Sequence, residues 1–267
     1  MSGSAVRRPG PALAPFISSV GYAESSYSHA RELALPSGTV QLLVNLDRDG
    51  MRTYPVEGGP PVLVSGAAVH GPYSRPVLID PADQRRVLWV AFRVGGAYPF
   101  VRAAAADLRD AMVDLADLWG HEGVLLRERL LAAPTPAARL DVLEAALVAG
   151  ARGPLESDEA VVAAAAALHR GASVAAAADR VGWPPKRLDR AFAVHIGLSP
   201  KRFARVRRFQ RLVRVASVDP APDWARLAAE HGYHDQAHLI HEFRAHAART
   251  PGEYRPRSPA EPNHVPV

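Results

Sequence analysis

Lys186, Arg187 and Arg190 crowd one short stretch around Leu188, which together with Phe192 makes an i, i+4 apolar pair. On a helix the two apolar residues share a face, and the three cations project away from it. Such a face suits a polyanion. A guanidinium such as that of Arg190 can pair bidentately with guanine O6 and N7, a contact worth about 1–3 kcal/mol of discrimination. Further along, the same framework recurs with different chemistry. Leu239 and Phe243 are again i, i+4, and the outward set is Gln236, Ala237, His238 and His241. A glutamine there can read adenine N6 and N7. Between the two stretches lie Lys201, Arg205, Arg208 and Arg211, cations suited to phosphates, which position a protein without carrying sequence information.

The elements that must hold these side chains are legible as a repeat. Ser173 is an N-cap for VAAAADRV, Gly182 marks a sharp turn, and Pro184-Pro185 opens a helix over about Pro185–His195. In the second copy Asp223 caps a helix to His231, Gly232-Tyr233 turns, and Asp235 caps Gln236–His246. The glycines of the two turns are 50 positions apart and Phe192 and Phe243 are 51 apart, so the second turn has one extra residue. Ser199 and Pro200 start a helix running to about Ser217, with Phe203, Val206, Gln210 and Val213 at helical spacing and Gln210 interrupting the apolar stripe. The pattern predicts helix-turn-helix units at about 173–195 and 223–246, joined by a rigid linker helix at about 199–217. Heads about 34 Å apart would enter successive major grooves.

Charge agrees with that division. Residues 1–154 hold 15 basic and 15 acidic side chains, whereas 155–258 hold 17 and 11; the span 183–214 has 10 basic residues against Asp189 alone. A basic block in a protein of net charge +5 is the footprint of a polyanion partner. The chain has no cysteine, which excludes disulfides, thiolate zinc sites and cysteine nucleophiles. No run of about 18 apolar residues predicts a membrane span. Arg7-Arg8 precedes a stretch too rich in proline and polar residues for an export signal. These features point to a cytoplasmic protein without a membrane partner.

The first half has a different period. Residues 1–15, rich in Pro, Gly and Ala, read as a loose arm. Strands are expected between about 16 and 94: TVQLLVNL (39–46), closed like a hairpin by Asp47-Arg48-Asp49-Gly50, then PVLVSGAAV (61–69), RPVLID (75–80) and RVLWVAFRV (86–94). The last is apolar on both faces and so central. Helices follow over about 97–150: 107–120, 123–133, and 135–150 with Thr135 as N-cap. Leu140, Leu143 and Leu147 form a stripe that either packs on the strands or makes a dimer seam. Residues 149–154 are the expected boundary, and a helix follows at 158–169. The fold class is α+β: a small antiparallel β-barrel or sandwich followed by helices (domain 1–152), then an all-α domain (155–257).

The C-terminal part resembles the AraC/XylS family of bacterial transcription regulators. The resemblance is carried by VGWPPKRLDRAFAVHIGLSPKRF, by Gly232-Tyr233-His234-Asp235-Gln236-Ala237-His238-Leu239, by Phe243-Arg244 and by Thr250-Pro251-Gly252-Glu253-Tyr254-Arg255. It implies two helix-turn-helix subdomains, double-stranded DNA as partner and control of transcription, with RNA polymerase, a small-molecule effector and a second copy of the chain as candidate partners. Two departures stand out: His241 where many members carry an arginine, and Pro184-Pro185 where a polar N-cap is usual. Family members often place a ligand-sensing or dimerising barrel in the first half. Without cysteine, the alkylation-repair chemistry of some relatives is absent.

Other chemistry is weaker. His241 and His246 resemble a zinc-protease pair with one residue too many; five positions turn a helix by about 140° past a full circle, so the two cannot share a metal. Gly95-Gly96 lacks the lysine of a phosphate loop, and Ser65-Gly66 is not a nucleophile elbow. No metal, cofactor or catalytic group is expected. His70, Tyr73 and Trp89 are the candidate effector-binding residues. The alternatives are an N-terminal enzyme with a DNA-binding tail, and an N-terminal domain that binds only another protein.

Overall fold

The computed structural model describes residues 4–152 and 155–267. Its first half is built from two antiparallel sheets. One runs in the order β1 (Ser4–Arg7), β2 (Ile17–Glu24), β9 (Arg86–Phe92), β4 (Gln41–Asn45), β7 (Ala67–His70) and β10 (Met112–Asp114). The other runs β11 (His264–Pro266), β3 (Glu32–Ala34), β8 (Val77–Ile79), β5 (Met51–Tyr54) and β6 (Val62–Val64). As its two apolar faces imply, β9 is central, between β2 and β4. Its Leu88 and Val90 enter a core completed by helices α1 (Tyr98–Val101), α2 (Leu115–Trp119), α3 (His121–Ala132) and α4 (Pro136–Gly150). Leu140, Leu143 and Leu147 are at most 2% exposed in that core, so the leucine stripe packs on the sheet and is not a dimer seam. Thr135 caps α4 by accepting from the Ala138 N–H.

Several local expectations change. The arm at 1–15 contains an edge strand, β1, whose Val6 and Arg7 stand opposite Gly21 and Val20; residues 1–3 lie outside the described part. The turn at 47–50 does not close a hairpin, because β4 and β5 belong to different sheets. PVLVSGAAV likewise breaks at Ser65-Gly66 into β6 and β7, one in each sheet. The helix expected over 107–120 is a 3-10 turn (Ala105–Leu108), then β10, then α2. Asp110 takes a left-handed φ of 53°, and its carboxylate accepts from the Ser74 N–H and hydroxyl, so local turn chemistry overrides the leucine periodicity. Of the boundary at 149–154, Gly153 and Pro154 lie outside the described residues.

The second half is helical: α5 (Glu159–His169), α6 (Val174–Arg180), α7 (Pro185–His195), α8 (Pro200–Ala216), α9 (Trp224–Glu230) and α10 (Gln236–Ala247). Helix α8 belongs to two cores. Phe203 and Val206 pack with α5, α6 and α7; Phe209, Leu212 and Val213 pack with α9 and α10. One rod therefore fixes both units. Leu33 and Leu35 from the first half are buried in the second of these cores, each contributing about 1.5–3 kcal/mol. After α10 the chain returns to the first half, where β11 adds an edge to β3.

Candidate nucleic-acid interface and effector cavity

In the first unit, Ser173 accepts from the Ala176 N–H, and Gly182 turns the chain at φ 63°. Leu188 and Phe192 are fully buried under α7, which leaves Lys186, Arg187 and Arg190 exposed around its N-terminal half. Arg187 lies over the Trp183 ring, 4.4 Å from its centre. No acid stands in the first turn of α7, so cations and the positive end of the helix dipole add there. Pro184 offers no side-chain cap, and Pro185 supplies the fixed φ of the first helical position.

In the second unit Asp235 accepts from the His238 N–H at 2.7 Å. That backbone bond, with His234 beside it, holds the Asp235 carboxyl below its usual range. Gln236, Ala237 and His241 are exposed; His238 is half-buried. Its Nδ1 accepts from the His234 N–H, and its ring meets Tyr233 edge-on, so Nε2 is the nitrogen left for another partner. His246 is buried against Phe209 and donates to the Glu242 carbonyl, on a different side from His241.

The rod's cations divide. Lys201 is exposed, with no ion pair among the described residues. Arg205 grips Glu242 of α10 bidentately at 2.9 and 2.7 Å. Arg208 reaches the same carboxylate at 3.5 Å, donates to the Gly232 carbonyl and lies over Tyr233. Burial pushes the Tyr233 hydroxyl up to about 12. Arg211 donates to the His169 carbonyl. Burial alone would raise the Glu242 carboxyl, but Arg205, His246 and Arg208 outweigh it and hold the group below its usual value. Lys201, Arg205, Arg208, Arg211, His231 and His238 line a cleft of about 540 Å³ between the two units.

Three residues missed in the sequence tie the rod to the rest. Glu242 is the joint with α10. Arg207 donates to the Ser37 carbonyl, and the Gln210 amide donates to the Pro36 carbonyl and to Asn263 Oδ1. The signal for Gln210 was its break in the apolar stripe.

A cavity of about 280 Å³ lies between the two sheets. His70 and Trp89 line it; Tyr73 does not, but stacks on the His70 ring with centroids 4.1 Å apart. Burial, partly offset by a hydrogen bond to the Gly71 backbone, lowers His70 to about 4, so its ring is neutral near pH 7. The indole of Trp89 lies across Gly21, where a Cβ would stand 2.2 Å from the ring. Part of the wall comes from beyond the second helix-turn-helix unit: Arg257, Glu261, Asn263 and His264. There Glu32, fully buried, accepts from His29, His264 and Arg257. Burial would raise its pKa, yet these partners keep it low. Among the described residues no group of three His, Cys, Asp or Glu side chains is placed to hold a metal, and no helix is long and apolar enough to cross a membrane.

Comparison with known proteins agrees with this geometry. Residues 177–257 match a family described as a helix-turn-helix domain. Residues 6–114 match a domain of unknown function (DUF6597). No curated protein matches the chain. Among solved structures, ToxT from Vibrio cholerae is similar over 95% of this chain and 97% of its own at 8% identity and a TM-score of 0.46. A second ToxT structure, from strain O395, gives 95%, 96%, 9% and 0.44, and wild-type ToxT bound to an unsaturated fatty acid gives 95%, 94%, 8% and 0.44. With its tandem units, their shared rod and the match at 177–257, the second half of the chain is a DNA-binding domain of the AraC helix-turn-helix type.

Proposed function

We propose that the two units read adjacent major grooves on one side of a duplex, and that a small molecule in the barrel cavity controls this. The observation behind the reading is the mounting of α7 and α10 on one rod, each by a buried Leu–Phe pair, with polar faces outward. Lys186, Arg187 and Arg190 supply most of the electrostatic affinity together with guanine contacts. Gln236, Ala237, His238 and His241 refine the choice of site. Lys201 meets phosphate directly; Arg205, Arg208 and Arg211 do so by sharing or exchanging their protein acceptors. We read the cavity as a binding site and not a catalytic one, because its acids and bases are tied to each other. A second copy of the chain and RNA polymerase are the further partners of this reading, and its place is the compartment that holds the DNA.

Fluorescence anisotropy of the full chain with labelled duplexes tests it. Affinity should differ between upstream sequences and fall steeply with salt; binding indifferent to both sequence and salt would overturn it.

A further inference from the structure

The charged side chains on the cavity wall are already matched. Arg52 donates to Asp83 at 2.8–3.0 Å and to Asp80 at 3.0 Å. Arg257 serves Glu32 and Glu261, and His264 serves Glu32. Among the described residues of the wall an entering carboxylate would find no free cation, and an entering ammonium no free carboxylate. Stripping a charge of water without a partner costs several kcal/mol. What stands open is neutral. Gln41, Thr53, Gln84 and Trp89 line the cavity, and their amides, hydroxyl and indole N–H make no side-chain hydrogen bond among the described residues.

These groups have a definite arrangement. Gln41 stands opposite His70 on the neighbouring strand. Trp89 stands opposite Leu43 on one side and Gly21 on the other, and the missing side chain at Gly21 leaves room for the indole. Leu43, Met51, Val87 and Met112 complete an apolar surround. The volume is near the lower end of the roughly 300–1,000 Å³ usual for small-molecule sites.

We propose that this cavity takes an uncharged, ring-bearing small molecule, its flat face on Trp89 and its polar edge on Gln41 and His70, a proposal that rests on the effector reading above. The amide of Gln41 offers both a donor and an acceptor, and the imidazole, whose N–H serves the Gly71 backbone, offers its other nitrogen as an acceptor, so an amide, lactam or phenol edge is matched. The aromatic face contributes through stacking and burial of area.

Isothermal titration of the full chain near neutral pH with 2-naphthamide and with 2-naphthoate, equal in shape and different in charge, tests the class. The amide should bind about tenfold or more tighter than the carboxylate. Gln41→Leu should weaken the amide by about tenfold, with thermal unfolding of the free protein unchanged, and Trp89→Leu should weaken both probes. Equal or tighter binding of naphthoate that Trp89→Leu abolishes overturns the uncharged class while leaving the effector reading intact. Amide binding insensitive to both substitutions overturns the assigned site. Absence of binding by either probe overturns the proposal and removes the cavity from the effector reading, while DNA binding by the same sample remains separately measurable.

Discussion

Replacing Glu242 by glutamine should make the protein less stable and, at the same time, a stickier DNA binder. The carboxylate is 8% exposed and is held by Arg205, itself 43% exposed. Breaking a fully buried pair costs about 3–5 kcal/mol, and an exposed pair is worth about 0.2–1 kcal/mol. With one partner open to solvent, the cost falls between these limits, at about 1–3 kcal/mol. Glutamine keeps the shape and one acceptor, which favours the lower end. The substitution also removes the negative charge that occupies Arg205 and Arg208 beside the cleft. Each guanidinium freed for a phosphate steepens the dependence of log Kobs on log salt by about 0.9, so a slope steeper by about 1–2 is expected, with tighter binding to non-specific duplex at low salt. Urea unfolding and salt-titrated anisotropy measure the two effects. The folded-state pKa of Glu242 is depressed. Its stabilisation is therefore present above the unfolded value of about 4.3 and is lost as pH falls through the folded value. Wild type and variant should converge in urea midpoint under acid conditions. An unchanged or shallower salt slope would refute the view that Glu242 competes with phosphate for these arginines.

Arg190→Ala should relax discrimination at one base position by about 1–3 kcal/mol, whereas Lys201→Ala should weaken all sequences alike and lower the salt slope by about 0.9, as a panel of single-base operator variants would register. His241→Arg places a permanent cation on the exposed face of α10 and should tighten DNA binding; unchanged affinity counts against a sequence-refining role for that face. Leu143→Ala, at 0% exposure, should cost about 2–5 kcal/mol in chemical unfolding with no change in sedimentation; dissociation of an oligomer without loss of stability would restore the seam.

The helical half was legible nearly to the residue because its signals are local. Ser173, Ser199, Asp223 and Asp235 each cap where a short polar residue precedes a periodic run, and Gly182 and Gly232 take the positive φ their turns require. The strand at 86–92 was legible from its two apolar faces. Residues 107–120 misled because Leu108, Met112 and Leu115 fit a helix equally well, and what broke it is a turn at Asp110 tied to Ser74, 36 positions away. Of the candidate site, exposure of Lys186, Arg187 and Arg190 followed from the Leu188–Phe192 stripe; of the three candidates picked by residue type in the first half, His70 and Trp89 stand on the cavity wall and Tyr73 does not. The pairing of Arg205 with Glu242, 37 positions on, carries no local pattern. Nor does β11, a three-residue strand among prolines whose neighbours gave no periodicity.

That last strand also constrains when the molecule can be finished. His264 meets Glu32 across 232 positions of chain, so the edge of β3 and part of the cavity wall stay open while the ribosome makes everything between. The helices of the second half can form from nearby contacts as they emerge, but the first half must wait for the tail before its second sheet is complete. A nascent chain stalled before residue 257 would carry a DNA-reading part without a closed cavity, and a fragment ending near residue 150 would report on an unfinished one.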